Sequence, residues 1–270
     1  MIPILFGGNK SVFDGILLCL ISMTKHSNSP LAVYILTADV TELNEQFKPI
    51  NTNQIETLNK VVKEKNKNSF VKRIILDNSF NQWIYSSKNK TNTYTPFAFL
   101  RLFADKIEDL PKKIIYLDTD IMINGDIKEL FDIDISNYEL GVVKDRYGHI
   151  FIRPNYFNSG MLLMNMEKIK QTNLLAKVKD FCVNNKMAFP DQSALNKCCK
   201  KKLYLPRRFN EQGNLRNNTI VHHFSKKIKW FPFFHTINIK PWHIEDVHKV
   251  YKCNNYDDIY QNYLKIISLK

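Results

Sequence analysis

Lys112-Lys113-Ile114-Ile115-Tyr116-Leu117-Asp118-Thr119-Asp120 is the stretch around which the rest of the chain is arranged. Four apolar residues, β-branched at their start, run from a lysine pair into two carboxylates that flank a threonine, the pattern of a buried strand. Alternate strand residues share a face, so Asp118 and Asp120 are expected to point together at the strand's carboxyl end. In open α/β sheets that end binds ligands. Two convergent carboxylates repel each other unless a cation lies between them, and oxygen ligands favour Mg²⁺ or Mn²⁺ over softer metals. A bare acidic pair of this kind is more often a solvated turn; the strand before it and the partners around it favour the metal.

Upstream, Ile2 to Phe6 is an apolar run that meets Gly7-Gly8, a strand and a tight turn where backbone can approach a ligand. Ser11 is placed to cap a segment in which Val12, Phe13, Ile16, Leu17 and Leu20 recur at helical spacing. Leu31 to Leu36 is a second apolar run, ending at Thr37-Ala38-Asp39. A polar helical stretch to about Asn66, broken by Pro49, precedes a third run from Val71 to Leu76. This alternation predicts an α/β fold with a mostly parallel sheet. The opening glycine turn is not G-x-G-x-x-G, so a dinucleotide fingerprint is absent.

Downstream, Thr95-Pro96 is expected to open a helix through Phe103 that carries Arg101, the threonine as cap and the proline in the first turn. Tyr138 to Val143 reads as a strand ending at Lys144-Asp145, and Phe157-Asn158-Ser159-Gly160 leads into the buried strand Met161 to Met164. One helix is expected from about Met166 to Asn185, and another from Pro190-Asp191-Gln192. Thr219 to Val221 is a last short strand, ending at His222-His223. A basic, aromatic segment from Lys226 to His243 and a polar tail follow, and no internal repeat or linker divides the chain.

At 270 residues the chain has enough length for one large domain, or a domain with a small appendage. Five cysteines, an odd number without metal-ligand spacing, point to reduced thiols in a cytosol-like compartment. No stretch approaches the ~20 apolar residues of a membrane span, and Met1 to Phe6 lacks the basic start of a signal peptide. A cytoplasmic protein is therefore expected. The net charge of +13 suits nucleic acid, anionic membrane or a polyanionic substrate, although lysine- and asparagine-rich tracts such as Lys63 to Asn68 are equally consistent with solvated surface. No nucleic-acid-binding motif is present, so nucleic acid is not expected as a partner. Trp230, Phe231, Phe233 and Phe234 within the basic segment allow closure over a ligand, peripheral contact with a membrane surface, or burial in the core.

Two aspartates alone hold a cation weakly, and an imidazole at the end of another strand completes such a set, with Mn²⁺ accepting it more readily than Mg²⁺. His222 and His223 are the candidates.

Taken together, Asp118-Thr119-Asp120 after an Ile-Ile-Tyr-Leu strand, Phe157-Asn158-Ser159-Gly160 before an apolar strand, Asp191-Gln192 leading Ala194-Leu195-Asn196, and a late histidine followed by Lys-Trp resemble glycosyltransferase family 8, over Ile2 to about His243. The resemblance implies a GT-A fold for residues 1–243, with 244–270 as a C-terminal tail packed on that domain or peripheral to it. It implies a metal-dependent, retaining transfer of a hexose or pentose, glucose or galactose foremost, from a UDP-sugar to a glycan, lipid-glycan or protein hydroxyl. It places Asp118, Asp120 and His223 on the metal, Mn²⁺ or alternatively Mg²⁺, and Lys229 on the diphosphate. Gly7, Asn9 and Ser11 fall where the family binds uridine, Arg101 and Thr119 on the donor, and Asp145, Asn158, Asp191 and Gln192 around the donor sugar, with Gln192 nearest the reacting carbon.

The chain departs from the family in places. Asn9 stands where Asp is usual and Val12 where Tyr is frequent, so uracil loses an anionic acceptor and a stacking ring, though an asparagine oxygen still accepts from the uracil N–H. In the late motif Lys226 takes a glycine position and Trp230 a proline position, while a separate Lys240-Pro241-Trp242-His243 makes Lys240 a rival of Lys229. His223 is preferred to His222 because it keeps the family's six-residue spacing to Lys229. Two other readings compete: an inactive GT-A-like protein with a basic face for polyanions or membrane, and a haloacid-dehalogenase-type phosphatase, whose D-x-D normally lies near the N-terminus.

Overall fold

The structure, a computed structural model, describes residues 1–90, 96–229, 233 and 235–268, and of Lys229 only the backbone. The expected cap Thr95 and the aromatics Trp230, Phe231 and Phe234 lie outside the described residues. The first half alternates strand and helix: β1 (Ile2–Gly7), α1 (Phe13–His26), β2 (Leu31–Thr37), α2 (Thr52–Lys65), β3 (Phe70–Ile75) and α3 (Asn78–Ser86). Residues 38–51 are turns and loop rather than the start of a helix; α2 begins after Pro49, where the Asn51 side chain accepts from Gln54 N at 2.9 Å and the Gln54 side chain accepts from Asn51 N at 3.1 Å. That reciprocal cap satisfies two otherwise orphaned N–H groups. Pro96–Lys106 is a 3₁₀ helix, followed by β4 (Lys113–Leu117), β5 (Ile121–Ile123) and the single turn α4 (Lys128–Phe131).

The second half comprises β6 (Leu140–Lys144), α5 (Gly148–Phe151), β7 (Phe157–Asn165), α6 (Met166–Thr172), α7 (Leu174–Asn184), α8 (Pro190–Cys198) and β8 (Lys202–Tyr204). After these come β9 (Val221–His223), β10 (Lys227–Lys229), β11 (His235–Ile237), α9 (Ile244–Tyr251) and α10 (Asp257–Ile267). The helix expected over 166–185 is two, because Asn173 adopts φ 53°, a left-handed conformation asparagine tolerates, and ends α6. The tail is also more than polar: Tyr256, Ile259, Tyr260 and Tyr263 are buried in the same core cluster as α1, and Lys25 pairs with Asp258 at 2.6 Å.

Seven of the described strands form one sheet in the order β3-β2-β1-β4-β7-β6-β8, parallel except where β7 runs antiparallel to β4 and β6. Its centre is covered on both faces, which is why β2 reads as an unbroken apolar run. Side chains divide by strand alternation. Ile4, Phe6, Ile115 and Leu117 join α1 in one cluster, while Leu5, Ile114 and Tyr116 join Phe97, Phe99 and Leu100 of the 3₁₀ helix in the other. Each such fully buried Leu or Ile contributes roughly 1.5–3 kcal/mol of transfer free energy. β1 and β4 are parallel neighbours with Leu5 opposite Tyr116, so Gly7 and Asp118, two residues further along each chain, emerge at the same edge. Among the described residues no helix is long and apolar enough to cross a membrane.

Candidate active site

Asp118 and Asp120 converge, but not by strand alternation. β4 ends at Leu117, and both carboxylates stand on the turn between β4 and β5. Asp118 N donates to Gly160 O at 2.7 Å, and Asp120 O accepts from Phe224 N at 2.9 Å, so the turn is tied to β7 and to the residue after β9. α1 reaches it at Gly15: a Cβ there would lie 2.1 Å from Thr119 O and 2.5 Å from the Trp242 ring. Only glycine permits that approach.

β9 pairs antiparallel with β5, Ile121 opposite His223, which brings one imidazole to the acidic turn. His223 Nε2 lies 3.2 Å from Asp120 Oδ1 and 3.9 Å from Asp118 Oδ2. One ligand atom from each of the three residues falls within 4.8 Å of the others. Adjacent ligands of an octahedral ion bound at about 2.1 Å lie roughly 3 Å apart, so this donor set fits a hard divalent cation with small adjustments. Burial alone would lower the His223 pKa, but Asp120 and Asp118 outweigh it and raise it. Burial would raise that of Asp120, yet Lys240 and His223 hold it well below the usual carboxylate range. Lys240 Nζ sits 2.6 Å from Asp120 Oδ2, which puts the rival lysine at the acids; the side chain of Lys229, in β10, is not among those described.

His222, one residue earlier, faces the other way. Its Nε2 donates to Gly213 O at 3.0 Å and its Nδ1 accepts from the Tyr256 hydroxyl at 2.7 Å. Burial pushes its pKa down to about 3, so it stays neutral and away from the acids.

The other candidates form a second, connected group. Buried Arg101 is spread across three elements: its guanidinium donates to Asp118 Oδ1 at 2.8 Å, lies 3.5 Å from Asp191 Oδ2, donates to Ser159 O, and stacks 4.2 Å over Tyr116. The Tyr116 hydroxyl donates to the same Asp118 oxygen at 2.8 Å. Burial raises the pKa of Asp191 against the opposing pull of Arg101. Gln192 Oε1 accepts from Ser159 N at 3.0 Å and Asn158 Nδ2 at 3.2 Å, while its Nε2 donates to Asp145 Oδ2 at 3.2 Å. Asp145 Oδ2 also accepts from Asn158 Nδ2 at 3.0 Å, and its Oδ1 from Gly148 N at 2.6 Å. At the end of β1, Asn9 is buried and accepts from the Ser11 hydroxyl at 2.7 Å, beside Gly7.

Three further residues belong to this site, of which Gly160 stands in the Phe157-Asn158-Ser159-Gly160 motif without an expected role. Gly160 packs directly behind His223 and Asp118, Tyr116 fixes an Asp118 oxygen, and Asn210 bridges Asn158 to His223. Tyr116 was visible in the strand but read as core; Asn210, a polar residue in a loop, carried no periodic signal.

The family described as Glycosyl transferase family 8 matches residues 3–246. A putative glycosyltransferase of Haemophilus influenzae is 34% identical over 135 residues, 45% of this chain and 41% of that protein. The lipopolysaccharide 1,2-glucosyltransferase of Escherichia coli is 28% identical over 174 residues, 57% of this chain and 51% of that one. The chain thus covers about half or less of these relatives' length. Among solved structures, the galactosyltransferase LgtC in complex with donor and acceptor sugar analogues superposes with a TM-score of 0.68 at 16% identity, covering 97% of this chain and 96% of that one. That likeness establishes the GT-A fold, and the family match sets the phosphatase reading aside.

Proposed function

This chain belongs to glycosyltransferase family 8, and on that premise we propose that it transfers a sugar from a UDP-linked donor, glucose or galactose foremost, to a hydroxyl of a glycan, lipid-linked glycan or protein, with retention at the anomeric carbon. The observation that carries the reading is the convergence of Asp118, Asp120 and His223 at one sheet edge, joined through hydrogen bonds to Gln192. These three residues would hold Mn²⁺ or Mg²⁺. A bound divalent cation supplies positive charge against the diphosphate that leaves when the sugar–phosphate bond breaks.

The chain's own residues account for the remainder. Lys240, paired with Asp120, is a cation within reach of the same charge. Gly7 emerges at the same edge as Asp118, Asn9 and Ser11 follow it in the chain, and the three suit a nucleoside extending from the diphosphate. Gln192 is an amide where a covalent route would want a carboxylate, so a front-face transfer follows. In it the acceptor oxygen bonds the anomeric carbon on the face the phosphate leaves, and the acceptor proton passes to the departing phosphate. The Asp145 carboxylate on Nε2 polarises the Gln192 amide and enriches its oxygen in negative charge, suited to a positive sugar carbon. The sequence from 226 to 242 is basic and aromatic, and Phe233 within it is 80% exposed, which fits peripheral contact with an anionic membrane.

Incubation with a panel of UDP-sugars and Mn²⁺, followed by UDP release, tests the reading, because glycosyltransferases hydrolyse their donors slowly without acceptor. Release from one or two donors, abolished by chelation, is expected; no release from any donor would refute it. Flotation with anionic vesicles tests the membrane contact separately.

A further inference from the structure

We infer that Asn210 is the positioning residue that fixes the ring of His223 for metal and couples that ring to the amide of Gln192. The inference rests on the reading of His223 as a metal ligand. Asn210 is fully buried just after the short helix Arg207–Phe209, with its backbone N–H on Arg207 O at 2.9 Å. Its side chain faces two partners. Nδ2 is 2.9 Å from Asn158 Oδ1, and Oδ1 is 3.1 Å from His223 Nδ1.

The direction of every bond follows from one group that can only donate. Gly160 N–H lies 2.9 Å from the Asn158 side chain, so the atom facing it is the oxygen. Asn158 Nδ2 then points to Asp145 Oδ2 at 3.0 Å and Gln192 Oε1 at 3.2 Å, both acceptors. Asn210 must present its NH₂ to the Asn158 oxygen, which leaves its own oxygen for His223. His223 Nδ1 therefore carries a hydrogen, and in the neutral ring the lone pair is on Nε2, the atom 3.2 Å from Asp120. Ligating imidazoles are commonly oriented by a partner on the other nitrogen, and loss of such a partner costs about 10–100-fold in metal affinity. Here that partner is an asparagine whose second bond runs on to Asn158 and hence to Gln192. A rotated Asn210 amide would disturb the metal ligand and the sugar-side amide together.

Two variants separate these roles. Asn210→Ala removes acceptor and donor; Asn210→Asp keeps an acceptor for His223 Nδ1–H but has no hydrogen for Asn158. In calorimetric titrations with Mn²⁺ alone, Asn210→Ala is expected to weaken binding about 10–100-fold and Asn210→Asp to bind within a few-fold of wild type. In UDP release with saturating Mn²⁺, Asn210→Asp is expected to lose turnover by about tenfold or more. A purely structural role would instead lower both readouts together with the thermal midpoint. Asn210→Ala binding Mn²⁺ as wild type does, while Asp120→Asn does not, would overturn the inference. A wild-type chain that binds no Mn²⁺ would overturn the metal reading, a distinct outcome. Ring ¹⁵N spectra of the wild-type protein at alkaline pH need no variant: hydrogen on His223 Nδ1 is expected, and hydrogen on Nε2 sinks the assignment.

Discussion

Gly160→Ala should disable the proposed metal site while leaving the fold standing. Gly160 has no left-handed backbone to defend, since positive φ occurs at no described glycine. What it supplies is room. An added Cβ would lie 2.2 Å from His223 Cε1, 2.8 Å from His223 Nδ1 and 2.8 Å from Asp118 Oδ2. Carbon atoms in good contact stand about 3.5–4.0 Å apart, so the ring or the strand must shift by more than about 1 Å. The ring cannot turn freely, because Nδ1 is bound to Asn210 and both sides are buried. Overpacking of this kind costs about 1–3 kcal/mol, and each kcal/mol lowers the melting midpoint of a domain of this size by about 2–4 °C.

A displacement of that size takes His223 Nε2 out of register with Asp120 and Asp118. Mn²⁺ affinity, measured by calorimetry, should fall at least as far as for loss of an orienting partner, about 10–100-fold. Gly141→Ala serves as the comparison, because its Cβ would meet Leu205 at 3.1 Å and Leu163 at 3.2 Å, far from the acids. It should lower stability and leave Mn²⁺ affinity unchanged. A folded Gly160→Ala protein that binds Mn²⁺ as tightly as wild type would refute the packing argument and the metal set built on it.

Asp120→Asn should abolish calorimetric Mn²⁺ binding and metal-dependent UDP binding, since it removes the charge that Lys240 and His223 both face; retained binding would move the metal elsewhere. Gln192→Ala should keep donor affinity and lower turnover, read as kcat falling with KM nearly constant; equal turnover would remove the residue from the chemistry. His222 gives a pH dependence of stability. Its folded pKa is pushed from 6.5 to about 3, so its contribution is full above pH 6.5 and is lost as pH falls toward 3, when the unfolded chain takes up a proton the folded one refuses. The loss should be on the order of 2 kcal/mol at pH 5, and His222→Gln should flatten the stability profile between pH 6.5 and 4. Unaltered profiles would show that His222 is not the group responsible.

The α/β alternation was legible because a parallel sheet covered on both faces demands continuous apolar runs, and Leu31–Thr37 supplies one with every residue buried. The acidic pair was legible as well, although a turn and not strand alternation brings the two carboxylates together. Burial of Leu117 and Ile121 on either side, not side-chain alternation, holds that turn at the sheet edge. Late in the chain two lysines compete for one role. Counting six residues from His223 leads to Lys229, whose side chain lies outside those described, and Lys240, further along after an intervening hairpin, makes contact with Asp120. Local sequence cannot report how far a hairpin carries the chain before it returns. Asn173 and Asn210 mark the other limit, one ending a helix and one bridging two site residues, with nothing in their neighbours to separate them from ordinary polar positions.

The adjacent histidines show what separates a candidate metal ligand from a structural residue when composition, burial and position are nearly the same. Both are 3% exposed and both sit on β9. Strand alternation sends them to opposite faces, and partners do the rest. His222 meets a carbonyl and a hydroxyl, groups that satisfy a neutral ring with hydrogen on Nε2. His223 meets an amide oxygen on Nδ1 and two carboxylates near Nε2. Desolvation acts on both rings in the same direction, yet one pKa falls and the other rises, so burial is not the deciding quantity. The deciding quantity is the pair of negative charges, which draws a proton to His223 even with Lys240 beside Asp120 and would draw a divalent ion in its place. It follows that Mn²⁺ binding should release a proton from the protein at pH values where His223 is charged. Calorimetry in buffers of different ionisation enthalpy measures that release directly, and heats that do not vary with the buffer would contradict the assignment of His223 to the metal.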